Sequence, residues 1–432
     1  MKKIITLISL ILLFSCSNDE DKKETIILSI ADISPASGPK NTPVTITGSG
    51  FSAISSENAV TINDKVCPII NSTPTQITIT IPPSAGSGKI NLTVGNASAE
   101  SNNFDFIVTT TVTTIAGNIK GIQDGQGSAA QFDFPRGITV DNQGNLLVTD
   151  GDRIRKISST GLVTTIAGST TGSEHGQSIL AKFDGPAGIV IDESGRLFVA
   201  DEFNDMIRLI SNTGLVNTTA GAVTGSDTPA VSGFLDGNRF EAKFDRPVGI
   251  AIDVSGTLFV ADSQNRRIRK IAGNNVTTFA GSGDFSSADG QGNTASFGNP
   301  QGLTIDTAGN LYVSDRFKII RKITPTGLVT TIAGSTTGGF ADGQGSVAKF
   351  NNANGIIADS LGNLFVTDGP RIRKISPTGL VSTIAGTATN GFADGIATIA
   401  QFNNPQGITI DSQGNLYIAD TINFKIRKIT FD

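Results

Sequence analysis

From Val112 onward, apolar positions follow two rhythms. Within runs of five or six residues they alternate with polar ones, and whole runs recur about every fifty residues. A phrase V-x-T-x-A-G occurs at Val112, Val163, Val216, Val276, Val329 and Val381. Each copy leads into a Gly-rich segment, then A-x-F, a G-I-x-x-D run, a short turn, an L-x-V-x-D run and I-R-K-I, with small variations. The A-x-F phenylalanines are Phe132, Phe183, Phe244, Phe297, Phe350 and Phe402, at steps of 51, 61, 53, 53 and 52 residues. A period of this size marks an array in which no unit buries its apolar face alone.

The fifth copy shows what each unit builds. Gly355 to Asp359 and Leu364 to Val366 read as consecutive strands across Ser360-Leu361-Gly362-Asn363. Arg371 to Ile375 alternates polar and apolar, and Val381 to Ile384 follows the turn Ser376-Pro377-Thr378-Gly379. Four antiparallel strands repeated radially predict a β-propeller. The array opens on an outer strand, Val112 to Ala116, and ends on a third strand, Ile426 to Ile429. Pairing those two closes the ring at six blades and removes two exposed sheet edges.

The pattern P-x-G-I-x-x-D-x-x-G-N-L-x-V-x-D-x-x-N-x-x-I-R-K-I resembles the NHL repeat, with Pro405 to Ile429 matching it closely. Copies one, four and five shorten the link between second and third strands, as in Asp150-Gly151-Asp152-Arg153, and lose the motif asparagine. The sequence thus predicts an all-β chain in which residues 109–432 form the propeller.

Ahead of it, alternating runs such as Val44 to Thr47, Ile77 to Ile81 and Lys89 to Val94 are broken by Pro and Gly. They predict an immunoglobulin-like β-sandwich over residues 27–108. Ser34-Pro35-Ala36-Ser37-Gly38-Pro39 followed by Val44-Thr45-Ile46-Thr47-Gly48-Ser49-Gly50-Phe51 is similar to the IPT/TIG domain, which in surface proteins commonly serves as a spacer.

The N-terminus supplies an address. Met1-Lys2-Lys3, an apolar Ile4 to Phe14 and then Ser15-Cys16 read as a secretory signal over residues 1–15, since the apolar run is well short of the ~20 residues that span a bilayer. The ending resembles a bacterial lipobox, which implies lipidation of Cys16. Ser17-Asn18-Asp19-Glu20-Asp21, within an acidic tether over residues 16–26, resembles the export tag of Bacteroidota surface lipoproteins. The expected location is the outer membrane, lipid-anchored and cell-surface exposed. With Cys16 acylated, Cys67 has no disulfide partner and reads as a buried, inert thiol.

Composition narrows the chemistry. Formal charge is −5, becoming −7 without Lys2 and Lys3, and no basic cluster suited to phosphates stands out. A nucleic-acid partner is not expected. The regularly spaced Arg155, Arg208, Arg269, Arg321, Arg373 and Arg427 are expected to pair with the strand-end carboxylates Asp150, Asp201, Asp262, Asp315, Asp368 and Asp420. A single histidine, His175, cannot supply a zinc site of several imidazoles. Glu174-His175 stands where other copies read Asp-Gly, as at Asp289-Gly290, and reads as a drifted loop. No G-x-S-x-G elbow follows a strand. Asp141, Asp192, Asp253, Asp306, Asp359 and Asp411 recur at every first turn and read as hairpin formers, with calcium at one or two of them as the alternative. No cofactor is otherwise expected.

Long Gly-rich loops of about twenty residues join each outer strand to the next inner one, on the same face as the links between second and third strands. Function is expected on that face. The residues preceding the first-strand glycines, Arg136, Ala187, Val248, Gln301, Asn354 and Gln406, should ring the channel mouth. Phe203, Phe317 and Phe424 are the exposed aromatics expected in the links, and Arg246 is a further ligand-binding candidate. The extra length of the third unit, within Gly221 to Phe240, is either a tolerated insertion or a loop overhanging the mouth, tipped by Phe234. The function expected is non-catalytic binding of a protein or other extracellular ligand. Glycan binding in a polysaccharide-uptake system is the alternative, although Trp is absent and the two tyrosines, Tyr312 and Tyr417, fall in second strands. A metal-dependent, lactonase-like hydrolase is the third reading.

Overall fold

The computed structural model describes residues 27–431 except 224, 226, 227 and 317. Cys16, the tether and Phe317 therefore lie outside the described residues. The chain divides into two compact units between Val108 and Thr109.

The first unit is a β-sandwich. One sheet runs in the order Ser29–Ser34, Pro43–Ser49, Gln76–Thr80, Ile69–Thr73. The other runs Ser37–Gly38, Ala97–Phe106, Gly88–Val94, Asn58–Ile62, Lys65–Val66. Alternation puts Val44, Ile46, Ile77, Ile79, Ile90 and Leu92 inside, each 0% exposed. Cys67 is buried in that core, and desolvation pushes its thiol up to about 11, so it stays protonated at neutral pH.

The second unit is a closed ring of six antiparallel sheets. Blade 5 is typical: Ala353–Ala358 lies innermost, followed outward by Leu364–Asp368, Arg371–Ile375 and Leu380–Ala385. The sealing strand is Thr110–Ala116, which pairs with the last strand, Lys425–Phe431, in register Val112↔Ile429. Residues at the two ends of the array thus share one sheet, and the ring has no open blade.

One feature departs from the four-strand expectation. Two residues of each Gly-rich segment, such as Gly343–Gln344, pair with the outer strand of the following blade as a short fifth strand. The long connection therefore runs out to the blade's rim before returning to the axis, and only part of it lies over the face. The A-x-F phenylalanine anchors the return: all six are 0% exposed, each burial stabilising by about 1.5–3 kcal/mol.

Candidate binding face

The expected ring exists. Arg136, Ala187, Val248, Gln301, Asn354 and Gln406, with the glycine after each, line a single axial cavity of ≈ 80 Å³. That volume holds a few waters and no sugar ring. Two of the four polar side chains in the ring are also committed to the protein. The Arg136 Nη1 donates to the Glu202 carboxylate at 2.6 Å, and the buried Gln301 Nε2 donates to Ser263 Oγ at 2.9 Å. The buried Asn354 Nδ2 has no hydrogen-bond partner among the described residues, and Gln406 contributes its backbone carbonyl, which accepts from the Thr367 hydroxyl. The mouth is a constriction rather than a pocket.

The repeated arginines and strand-end carboxylates form the frame of the face. Each arginine is 0% exposed and reaches its blade's aspartate: 2.8 Å for Arg155–Asp150, 2.9 Å for Arg208–Asp201, 2.6 Å for Arg269–Asp262, 2.8 Å for Arg373–Asp368 and 2.7 Å for Arg427–Asp420. Arg321–Asp315 is looser at 4.0 Å. The guanidinium also stacks on the A-x-F ring, 5.2 Å from the centroid for Arg155 over Phe132. The carboxylate's other oxygen holds the chain entering the first strand, as Asp150 does for the Asp133 and Phe134 N–H groups. Burial pushes Asp150, Asp201 and Asp262 up to about 6, opposed by the paired guanidinium and these hydrogen bonds.

The sequence reading missed a second carboxylate in this frame. Asp124 binds Arg155 Nη2 at 2.8 Å and also accepts from the Thr165 N–H and hydroxyl. Asp236, Asp289, Asp342 and Asp394 do the same in blades 3 to 6. Burial acts to raise Asp124 and Asp342, but the threonine and arginine bonds outweigh it and hold both carboxyls below the ordinary range. The recurring D-G of every Gly-rich segment except the second was the available signal. In that second copy His175 itself, rather than Glu174, takes the aspartate's place, and its Nε2 meets Thr218 Oγ1 at 2.8 Å. His175-Gly176, and not Glu174-His175, is thus the counterpart of Asp289-Gly290.

Outside the frame lies a belt of phenylalanine rings, each with a cation over it. Lys120 sits 4.4 Å from the Phe134 centroid, Arg246 5.1 Å from Phe203, and Arg267 3.9 Å from Phe234. Arg266 sits 5.2 Å from Phe285, Arg371 4.4 Å from Phe340, and Lys425 4.6 Å from Phe392. Five of these rings are between 39% and 66% exposed. Arg246, Phe203 and Phe234 were anticipated, and the first two form one pair. Phe424 is only partly exposed and packs edge-on against Phe134, with centroids 5.9 Å apart. Phe134, Phe285, Phe340 and Phe392 were missed. Two of them sit in a repeated G-F-A-D-G that should have marked them.

The described residues of the third unit's insertion turn away from the mouth. Among its described residues, Ala230 is buried and its N–H reaches the Asn204 carbonyl at 3.0 Å, so the loop folds back onto blade 2. None of its described residues lines the axial cavity. The first-turn aspartates act as turn formers: Asp141 Oδ1 accepts from the Gln143 and Asn145 N–H groups and Oδ2 from the Asn145 amide. Tyr312 and Tyr417 donate their hydroxyls to the equivalent Asp306 and Asp411.

Comparison with known families agrees with this architecture. The IPT/TIG domain matches residues 28–108, and the NHL repeat matches 244–271 and 402–429. This chain is an IPT/TIG domain followed by an NHL-repeat propeller. The Teneurin NHL domain also matches residues 91–178. Suppressor of Quenching 1, a chloroplastic protein of Arabidopsis thaliana, is 27% identical over 274 residues, 46% of this chain and 26% of that protein. The match thus spans about a quarter of that relative. A Bacteroides thetaiotaomicron protein of unknown function superposes with TM-score 0.62 at 22% identity, covering 95% of this chain and 99% of the other. An auxiliary nutrient binding protein from Bacteroides ovatus gives 0.63 at 19%, with the same coverage. Both superpositions include residues of each of the two units.

Proposed function

We propose that this NHL-repeat protein is a non-catalytic, lipid-anchored surface protein that holds an extracellular nutrient glycan on the long-loop face of its propeller. The observation that carries the reading is the belt of cation-backed phenylalanine rings around that face. An exposed ring offers an apolar plane to the C–H face of a sugar, and the cation beside it offers donors to hydroxyls. Spacing such pairs around a rigid ring suits a long, repetitive ligand that touches several of them weakly and together.

Binding is favoured over hydrolysis by how the carboxylates are used. Strand-end aspartates are neutralised by buried arginines, and first-turn aspartates are filled by donors of their own turns. The nutrient reading draws on the Bacteroides ovatus neighbour, whose fold this chain shares. A protein ligand, expected from sequence, is the outcome to test against it.

An array of soluble polysaccharides probed with the purified protein is the experiment. Retention of one or more glycans, weakened by Phe340→Ala and unaffected by a chelator, is expected. Failure of every glycan to bind would sink the reading, and chelator-sensitive turnover of lactones would establish the enzyme instead.

A further inference from the structure

The face is not electrically uniform, and the asymmetry points to a ligand. At the seam of blades 1 and 2 the carboxylates Asp152, Asp184 and Glu202 stand close together, and burial and then the other two raise the Asp184 carboxyl. The seam of blades 3 and 4 is the reverse. There Gln264, Arg266, Phe285, Gly298, Asn299 and Arg316 line a cleft of ≈ 300 Å³, within the range of small-ligand sites.

Two arginines in this cleft have no carboxylate within 4.0 Å among the described residues. Arg136, Arg196 and Arg321 are neutralised by Glu202, Asp192 and Asp289; Arg266 and Arg316 differ from the other unbridged arginines in lining one cleft together. Arg266 occupies the left-handed position of its link, with φ of 53°. Its guanidinium lies over Phe285 and gives one hydrogen bond, from Nη1 to the Gly283 carbonyl at 3.2 Å. Arg316 has its backbone N–H fixed to the Asn299 carbonyl at 3.2 Å, and its side chain is exposed. Asn299 is itself held in place, donating to the Ser263 carbonyl at 3.2 Å. Immediately before the third strand the other blades carry Asp152, Asp205, Lys318, Pro370 and Phe424, of which Asp205, Lys318 and Phe424 share the positive φ of Arg266. The side chain at this place differs from blade to blade, and one blade puts an arginine opposite a second arginine.

We propose that this cleft binds the carboxylate of an acidic sugar, a hexuronate residue within a polysaccharide. The inference rests on the glycan reading above and specifies the ligand's charge. A guanidinium presents a planar fork of donors that matches a carboxylate and holds it more strongly than neutral hydrogen bonds hold a hydroxyl. Phe285, 66% exposed, supplies an apolar surface beside it, and the Gln264 amide supplies donors and an acceptor for ring hydroxyls.

Calorimetric titration with short oligomers of galacturonate, mannuronate and hyaluronan tests it, beside methyl-esterified galacturonate, neutral dextran and dextran sulfate. At least one uronate should bind. Esterification should weaken galacturonate, if that is the one bound, by at least tenfold. Arg266→Gln and Arg316→Gln should each cost about tenfold and together abolish binding, at unchanged melting temperature. Arg196→Gln, in a turn on the opposite face, should change nothing. Binding of a uronate undiminished in the double variant overturns the cleft assignment and leaves the glycan reading standing. So does binding of dextran, or of dextran sulfate through these arginines, with no uronate bound. If no glycan of either charge binds, the glycan reading itself fails and this inference falls with it.

Discussion

Gly407 packs so closely on the Arg136 backbone that a β-carbon built on it would lie 2.1 Å from the Arg136 carbonyl oxygen, across the seam where the ring closes. The other five first-strand glycines meet the next blade in the same way, at 2.1–2.4 Å from the carbonyls of Ala187, Val248, Gln301, Asn354 and Gln406. Backbone meets backbone here, so nothing flexible can give way. Gly407→Ala is therefore expected to destabilise the ring by at least about 1–3 kcal/mol, the cost of overpacking. Gly414 has nothing within 4 Å and a φ of 84°, so its replacement by Ala meets only the left-handed penalty of about 1–2 kcal/mol. Chemical denaturation of the two variants should rank them in that order.

Closure by the N-terminal strand makes a second prediction. Removing Thr110–Ala116 exposes the edge of Lys425–Phe431 and uncovers Ile426 and Ile429, both 0% exposed. The melting temperature of the propeller should fall by ten degrees or more, with the loss felt across the ring. Melting unchanged from the parent would show that this strand does not seal it.

The buried arginine frame should respond unequally to its two carboxylates. Arg373→Met leaves the fully buried Asp368 without its guanidinium and should cost about 3–5 kcal/mol. Asp342→Ala removes a half-exposed partner and should cost about 1 kcal/mol. Blade 2 offers the converse. No second carboxylate reaches Arg208 within 4.0 Å among the described residues, and His175 stands in that place. His175→Asp should stabilise by about 0.5–1 kcal/mol, as a gain in the urea midpoint at pH 7.

Asp205 gives a pH dependence whose sign is fixed. Burial pushes its carboxyl up to about 6, against the Arg246 N–H bond, with Asp245 and Glu202 adding repulsion. A native-state value above the unfolded one means the native state holds an extra proton between about pH 4 and 6. Above that window the ionised group costs stability, and below it the cost vanishes. Asparagine tolerates the left-handed backbone at this position, φ 53°, and keeps an oxygen for Arg246. Asp205→Asn should raise the melting temperature at pH 7 and leave it unchanged at pH 4. Equal gains at both would show that the charge is not the cause.

Much of this was legible because the repeat states it six times. Strand order, closure, the pairing of Arg155 with Asp150 and the residues around the axis all follow from alternation and spacing. What escaped depends on where a long connection travels. The detour of Gly343–Gln344 to the blade's rim carries Asp342 against Arg373 from 31 residues away; the recurring D-G marks the position, and nothing local names the arginine it meets. Arg136 looked open at the mouth because its partner, Glu202, sits 66 residues on in the next blade. The insertion's return onto Asn204 is likewise a tertiary contact between segments with no shared period.

The central claim is that the long-loop face, and not the face of short turns, carries the ligand. Its most direct test is affinity for a glycan retained on the array, measured with Phe285→Ala/Phe340→Ala and with Val254→Ala/Leu361→Ala. The second pair lies in exposed short turns, at 94% and 77% exposure, against 66% for Phe285 and a half-buried Phe340. A loss of tenfold or more in the first with parental affinity in the second is the predicted result. Parental affinity in the first, or an equal loss in both, would contradict it.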